Sequence, residues 1–334
     1  MNRATLTIQH AGHCVVQDLG RPGHAGIGIP ANGASDQHAA RTANILVGNA
    51  DDDALLEVTG SEVAFTTSAD LLIAVTGAAG QVIVDGHRQP AWEALAVFAG
   101  SHVRVPVSET GYRSYVAVNG DWEVERALGS VAPDRLLGVG CQLFTGDTVV
   151  VRTAFTARGR LWWEPLFRLG AERVESTATI EIDAIAGPDV DLVSGGLAAL
   201  DGPLVVTPQS DHIGLRLTCP PIELASTAEI LSRGVPVGAI EVPPNGGIIM
   251  LLRGRLVTAG YPVLAVVTSE SLDRLGQAGP GATVQVRVCE LHEARRKLHR
   301  RRDNRRELAE RVRTAFIASG LAQIISAGHT SAST

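Results

Sequence analysis

Apolar and polar residues alternate through Leu6, Thr7, Ile8 and Gln9, the two-residue period of a half-buried strand. Val82-Ile83-Val84 runs into Asp85-Gly86, and residues 115–118 run into Asn119-Gly120. Both dipeptides favour the positive φ angles of tight hairpin turns. Residues 71–75 form a continuous apolar run of core-strand length. One helix is expected in the first half. Ser35 or Asp36 caps it by accepting free amide hydrogens of the first turn. Ala39, Ala43, Leu46 and Val47 share a face, and Gly48 stops it. The second half predicts strands at 179–182, 204–206, 238–242, 248–252 and 284–288, with a short helix at 270–275 capped by Ser269. Residues 155–175, with Trp162, Trp163 and Pro165, read as a crossing between the halves. A small echo, Pro30-Ala31-Asn32-Gly33 against Pro243-Pro244-Asn245-Gly246, leaves an internal repeat open.

From 291 to about 319 the period becomes helical. Leu291, Leu298, Leu308, Val312 and Ala315 mark a broken apolar stripe among arginines. Ten of the 29 basic residues lie between Arg295 and Arg313, in a chain of net charge −6. A solvated helix docked by its ends and a helix docked on an acidic partner surface both fit this pattern. Nucleic acid does not, because no aromatics are interleaved and the whole chain is acidic.

Length changes the picture next. A chain of 334 residues exceeds what one hydrophobic core usually carries. The expected division is 1–155, 156–290, a basic helix at 291–320 and a frayed tail at 321–334. Aromatics make up only 4%, so the core must be built from Val, Leu, Ile and Ala, and 36 glycines with 16 prolines favour many turns between short strands. Cys14, Cys141, Cys219 and Cys289 are widely spaced and suit reduced thiols better than disulfides or zinc. The opening residues lead into alternation without an apolar secretory core, and no apolar run is long enough for a helical span. A cytoplasmic protein without membrane attachment is expected.

Several polar residues stand in turns where chemistry is possible. Asp18 and Arg21 lie three apart in a Gly-rich turn. The guanidinium offers a planar fork for a carboxylate or similar oxyanion, or the pair simply fixes the turn. Asn32, Asp36 and Asn44 bracket the helix start, where free amides favour an anion; equally, Asp36 is a cap and Asn44 a buried bonding residue. Glu57 reads as a partner for Arg41. Asp211 and Arg216 repeat the acid-plus-guanidinium pattern, and Asn245, Thr258 and Tyr261 sit near Gly or Pro turns. Absent residues decide more. Lys297 is the chain's single lysine, so neither a P-loop, nor a biotin-carrying hairpin, nor a Ser-Ser-Lys amidase centre can be built. No His, Cys and Asp cluster has metal-ligand spacing, and no metal is expected.

Longer blocks carry a resemblance. Gln17 to Gly23 and Gly28 to Asp36 are followed by Arg41 to Asn49 and by Ala54-Leu55-Leu56-Glu57. Ser210 to Leu217, Gly238 to Gly246, Gly260-Tyr261-Pro262 and Gln277 to Gly281 come later in the same order. This succession resembles the KipA-like family, also called allophanate hydrolase subunit 2 or the 5-oxoprolinase C subunit. The resemblance implies a mainly β protein of two cyclophilin-like β-barrel domains with a C-terminal helix. It implies an enzyme subunit, a hydrolase acting on C–N amide bonds, that builds a composite site with a KipI-like partner for ATP-linked cleavage of a small or cyclic amide such as 5-oxoproline. A LamB/YcsF-like subunit is a further candidate partner, and no covalent cofactor is expected. In that reading Arg21 and Arg216 bind anionic groups and Asn32, Asn44, Asn245, Thr258 and Tyr261 line the substrate site. Asp18, Asp36 and Asp211 orient the substrate or move protons. Two other functions stand beside it: a non-catalytic protein that antagonises a KipI-like regulator, and the carboxyltransferase component of a urea carboxylase-type pathway. The chain departs from the family pattern at Gly254, Leu256 and Val257, where the family has Asp, Gln and Thr, and at Glu241 and Asn245, where it has Gln and Asp.

Overall fold

The computed structural model describes residues 2–157, 166–174, 177–225 and 230–325. The chain is mainly β, as expected, and divides into two compact units that are interleaved in sequence. One comprises Met1–Gly20, Gln37–Glu175 and Arg302–Thr334; the other comprises Arg21–Asp36 and Ser176–Arg301. The Gly-rich segment 21–36 therefore leaves the company of its sequence neighbours, which a division at 155 does not anticipate. Both copies of the Pro-Asn-Gly echo fall in the second unit, so the echo does not mark equivalent places in two halves. The crossing at Trp162, Trp163 and Pro165 lies outside the described residues.

The first unit is built on an eleven-stranded sheet. Its long strand Asn2–Gln17 pairs antiparallel with Leu55–Thr67 and Thr148–Thr153. Ala4, Leu6 and Ile8 alternate into a core shared with Val16, Leu56, Phe65, Ile73 and Val116. Residues Leu71–Gly77 are buried throughout, as the apolar run predicts. Asp85 and Gly86, at φ 49° and 83°, make a two-residue turn between strands Gln81–Val84 and His87–Pro90. Asn119-Gly120 does not make a hairpin. Asp121–Trp122 pairs with Thr148–Thr153 instead of turning back on Arg113–Val118. Helix α1 (Gln37–Leu46) packs on Leu71–Gly77 and Arg113–Val118 and ends at Gly48, whose φ of 80° suits only a residue without a Cβ.

The second unit is a closed barrel. Its strands run in the order Thr179–Ala186, Val263–Val267, Ala239–Glu241, Ile248–Leu251, Gly214–Thr218, Leu204–Val206 and Thr283–Val288. Closure is by a parallel pairing of the last strand with the first. Leu215, Leu217, Ile240, Ile248, Met250 and Leu264 fill the interior. Helix α2 (Ser269–Leu275) is capped by Thr268, not Ser269: the Thr268 hydroxyl accepts from the Ser271 amide at 3.3 Å.

Helix α3 (Leu291–Ala318) is the expected basic helix. Its apolar stripe is Leu308, Val312 and Phe316, all buried; Leu291 is half exposed and stands off the stripe. Phe316 stacks at a tilt on Phe167 with ring centroids 5.6 Å apart. Several of its basic side chains are used within the chain. Arg301 is buried against Glu270 at 2.5 Å and Asp273 at 3.4 Å. Lys297 pairs with Asp183, and Arg305 reaches Asp51 at 3.5 Å. Of the tail expected to fray, Leu321 and Ile324 are buried, and 326–334 lie outside the described residues. No described helix is long and apolar enough to cross a membrane.

Candidate functional site

In the first unit the motif residues Asp18 and Asn44 are hydrogen-bonded into the fold. Both oxygens of Asp18 are engaged: Oδ1 accepts from the Ser130 hydroxyl at 2.6 Å and the Gly20 amide at 2.7 Å, and Oδ2 accepts from the Val131 amide at 2.8 Å. These bonds tie the turn to residues 130 and 131 and use three of the carboxylate's roughly four accepting positions. Asn44, 1% exposed, donates to the Asp53 carbonyl at 2.7 Å and accepts from Asn49 Nδ2 at 3.2 Å. Asn49 donates on to the Val118 carbonyl and accepts from the Gly120 amide. Asn119 donates to the Val47 and Ile324 carbonyls and accepts from the Thr153 hydroxyl. This lattice ties the loop after α1 to the sheet and the C-terminal segment, and it engages both ends of the buried Asn44 amide. Glu57 accepts from Tyr115 at 2.8 Å and faces Arg113; Arg41 pairs with Asp51 instead.

In the second unit, segment 21–36 lies on α2 and the loop after the strand Ile248–Leu251. Arg21 is 2% exposed, and its amide donates to the Ala31 carbonyl at 2.7 Å. Asn32 holds a left-handed φ of 55°. Asp36 accepts from Gln277 Nε2 at 2.7 Å. Arg253, which sequence reasoning passed over, bonds the Ser35 carbonyl and Asp273, and Asp273 passes the connection to Arg301. Backbones approach closely here. A Cβ on Gly276 would stand 2.5 Å from the Ser35 carbonyl oxygen, and one on Gly254 would stand 2.8 Å from the His212 carbonyl oxygen and 3.1 Å from Asn32 Oδ1. The loss of the family's aspartate at 254 is thus built into the local packing: Asn32, His212 and Gly254 fit together because 254 has no side chain.

The remaining predicted residues belong to the same unit. Asp211 uses Oδ1 to accept from the Ile213 and Gly214 amides and shapes the turn before Gly214–Thr218. Asn245 does the same for the Gly247 amide. Thr258 is exposed on a two-stranded sheet with Arg233–Gly234, and Tyr261 is 39% exposed. Arg216 is exposed, and its guanidinium makes no hydrogen bond or ion pair among the described residues. Beside it the structure exposes a group that sequence reasoning noted only as a departure. Glu241 is 2% exposed, and its Oε1 is buried without a hydrogen-bond partner among the described residues. Burial drives its pKa up from 4.5 to about 7, against a lowering from nearby Arg233. No described group of three or more His, Cys, Asp and Glu side chains is arranged to hold a metal ion.

Residues 27–288 match the family described as carboxyltransferase domain, subdomain A and B. The chain belongs to this family. It is 30% identical to the 5-oxoprolinase C subunit of Escherichia coli (strain K12), over 90% of this chain and 96% of that protein. It is 28% identical to the corresponding 5-oxoprolinase component of Haemophilus influenzae, over 84% and 89%. Among solved structures, TTHA0988 superposes with a TM-score of 0.73 at 29% identity, over 86% of this chain and 56% of that one. The Kluyveromyces lactis urea amidolyase shares the fold at a TM-score of 0.81 and 22% identity, over 91% of this chain and 20% of that chain. The chain thus spans little more than half of TTHA0988 and a fifth of the amidolyase. Within the family fold, what sequence reasoning missed is Glu241, Arg253 and Arg301. The signal for Glu241 was its acidic character where the resemblance predicts an amide; the other two carried none beyond their charge.

Proposed function

We propose that the chain is one component of a small-amide-metabolising enzyme complex of the 5-oxoprolinase type. It joins a KipI-like subunit to form a composite site for ATP-linked opening of a lactam, with 5-oxoproline as substrate. The observation that carries this reading is the 30% identity running through nearly the whole of a protein named as one subunit of a 5-oxoprolinase. The chain's own chemistry agrees with dependence on a partner. Its single lysine is paired with Asp183, so the cationic phosphate clamp that ATP chemistry uses must come from arginines or from another chain. Of the proposed carboxylates, Asp18 and Asp36 are buried and hydrogen-bonded, and Asp211 is exposed with, among the described residues, only Oδ1 bonded into its turn; the reading keeps all three as candidates for orienting the substrate or moving protons. The test is co-expression with a KipI-like and a LamB/YcsF-like chain, purification of the assembly, and ATP hydrolysis with and without 5-oxoproline. Stimulation that needs all three chains is expected. Assembly without stimulation favours the regulator-antagonist reading.

A second reading has its own support. The family description is that of a carboxyltransferase domain, and the chain is 32% identical over 129 residues to the urea amidolyase of Saccharomyces cerevisiae. Carboxyl transfer from a biotin carried on another chain is the activity to assay if 5-oxoproline has no effect.

A further inference from the structure

The outer face of the second unit's barrel carries a row of side chains fixed by strand register. Arg216 stands opposite Ile249, and Ile249 stands opposite Glu241. Directly opposed residues in antiparallel strands point to the same side. Ile240, Ile248, Met250 and Leu215 point into the barrel core, so Arg216, Ile249 and Glu241 point out of it. Neighbouring strands lie about 4.8 Å apart, which sets the Arg216 and Glu241 backbones about 10 Å from each other with the half-buried Ile249 between them. At one end is a guanidinium with no partner among the described residues. At the other is a buried carboxyl with an orphaned oxygen.

An unpartnered buried carboxyl is costly, and a barrel strand does not require one. Ala239, Leu251 and Val263 lie on the same face, in one cluster with Ala259 of the separate two-stranded sheet Arg233–Gly234 and Thr258–Ala259 and with Val235 just after its first strand. Among the described residues the charged groups around it are few. Arg233 is occupied by Asp189, which also accepts from the Val263 amide at 2.7 Å, and Arg255 donates to the Val235 carbonyl at 2.9 Å. The setting favours the neutral acid near pH 7. A neutral carboxylic acid presents one donor and one acceptor side by side. The amide of a lactam is cis, so its N–H and C=O also point the same way, and the two groups are complementary in a pair of parallel hydrogen bonds.

We propose that Glu241, Ile249 and Arg216 form a two-point site for a lactam bearing a carboxylate, Glu241 pairing with the lactam amide, Ile249 flooring the ring and Arg216 taking the carboxylate. The inference deepens the proposed 5-oxoprolinase function and rests on it for the substrate class. It makes Glu241 a substrate-binding group, and it assigns Arg216 a partner outside the chain.

The test uses the full chain labelled with carboxyl-13C glutamate, with Glu241→Gln to assign the signal. The probes are 5-oxoproline, the six-membered 6-oxopiperidine-2-carboxylate and 2-pyrrolidinone, which lacks the carboxylate. The Glu241 carboxyl is expected to titrate near pH 7 in the free chain and to move saturably with the two lactam acids. Arg216→Ala should weaken both lactam acids about tenfold or more, the loss of one charge-assisted pairing, and leave 2-pyrrolidinone unchanged. A signal unmoved by every probe overturns the site, as does a response to the acids that survives Arg216→Ala intact. A response to the six-membered acid with none to 5-oxoproline supports the site and overturns 5-oxoproline as the substrate.

Discussion

Asn119 in the first unit and Glu241 in the second are both buried polar side chains, 3% and 2% exposed, yet their hydrogen bonding differs completely. Asn119 bonds two carbonyls and a hydroxyl, each from a different part of the chain. Glu241 leaves Oε1 without a partner among the described residues. A saturated buried network specifies one packing and rigidifies it. An unsaturated group holds bonding capacity in reserve, at a cost in stability that persists unless something else uses it. The difference separates two kinds of residue that look alike in sequence: those that define the fold and those available to a ligand.

The comparison can be broken most forcefully through the charges that are fully engaged. Arg301→Ala removes the nearest cation from buried Glu270 and one of the two arginines on buried Asp273. It should cost about 3–5 kcal/mol, because Glu270 is left under-compensated, with only Arg274, 3.5 Å away, for a cationic partner among the described residues; a shift of the denaturant midpoint measures it, and a shift within error would show that Arg274 and Arg253 suffice alone. Asn119→Ala comes next. It orphans the Val47 and Ile324 carbonyls and should cost about 3 kcal/mol, one to two for each buried group left unpaired. The same variant should loosen the C-terminal segment, read as faster amide exchange around Ile324.

Much of this fold was legible along the chain. Alternation at Leu6 to Gln9 and the apolar run at 71–75 predicted strands because burial of one or both faces imposes those periods. Asp85-Gly86 predicted its hairpin because the turn demands two positive φ angles. Asn119-Gly120 offered the same signal and misled: Gly120 is required by the approach of the Arg152 carbonyl, 2.2 Å from where its Cβ would lie, and not by a hairpin. The capture of segment 21–36 by the second barrel was illegible, since it depends on Gly276 and Arg253 some 220 residues onward. The candidate site was legible in part. Arg216 was named from its motif. Glu241 was visible only as a departure from Gln, and no local pattern announces its burial.

The smallest expected effect tests the central claim most directly, because its sign is opposite to the others. Glu241 holds its proton more tightly when folded, with a pKa of about 7 against 4.5. Stability is therefore lost as pH rises from the unfolded value through the folded one, and above pH 7 the penalty is complete. Glu241→Gln removes it. Unfolding of the full chain by urea at pH 8 and pH 4 should show the variant more stable at pH 8 by about 2 kcal/mol, after discounting for relaxation around the carboxylate. At pH 4 the two proteins should coincide, since both side chains are then neutral. A variant destabilised at pH 8, as Asn119→Ala is expected to be, would mean that Glu241 is bonded into the fold, and the distinction between the two buried groups would collapse.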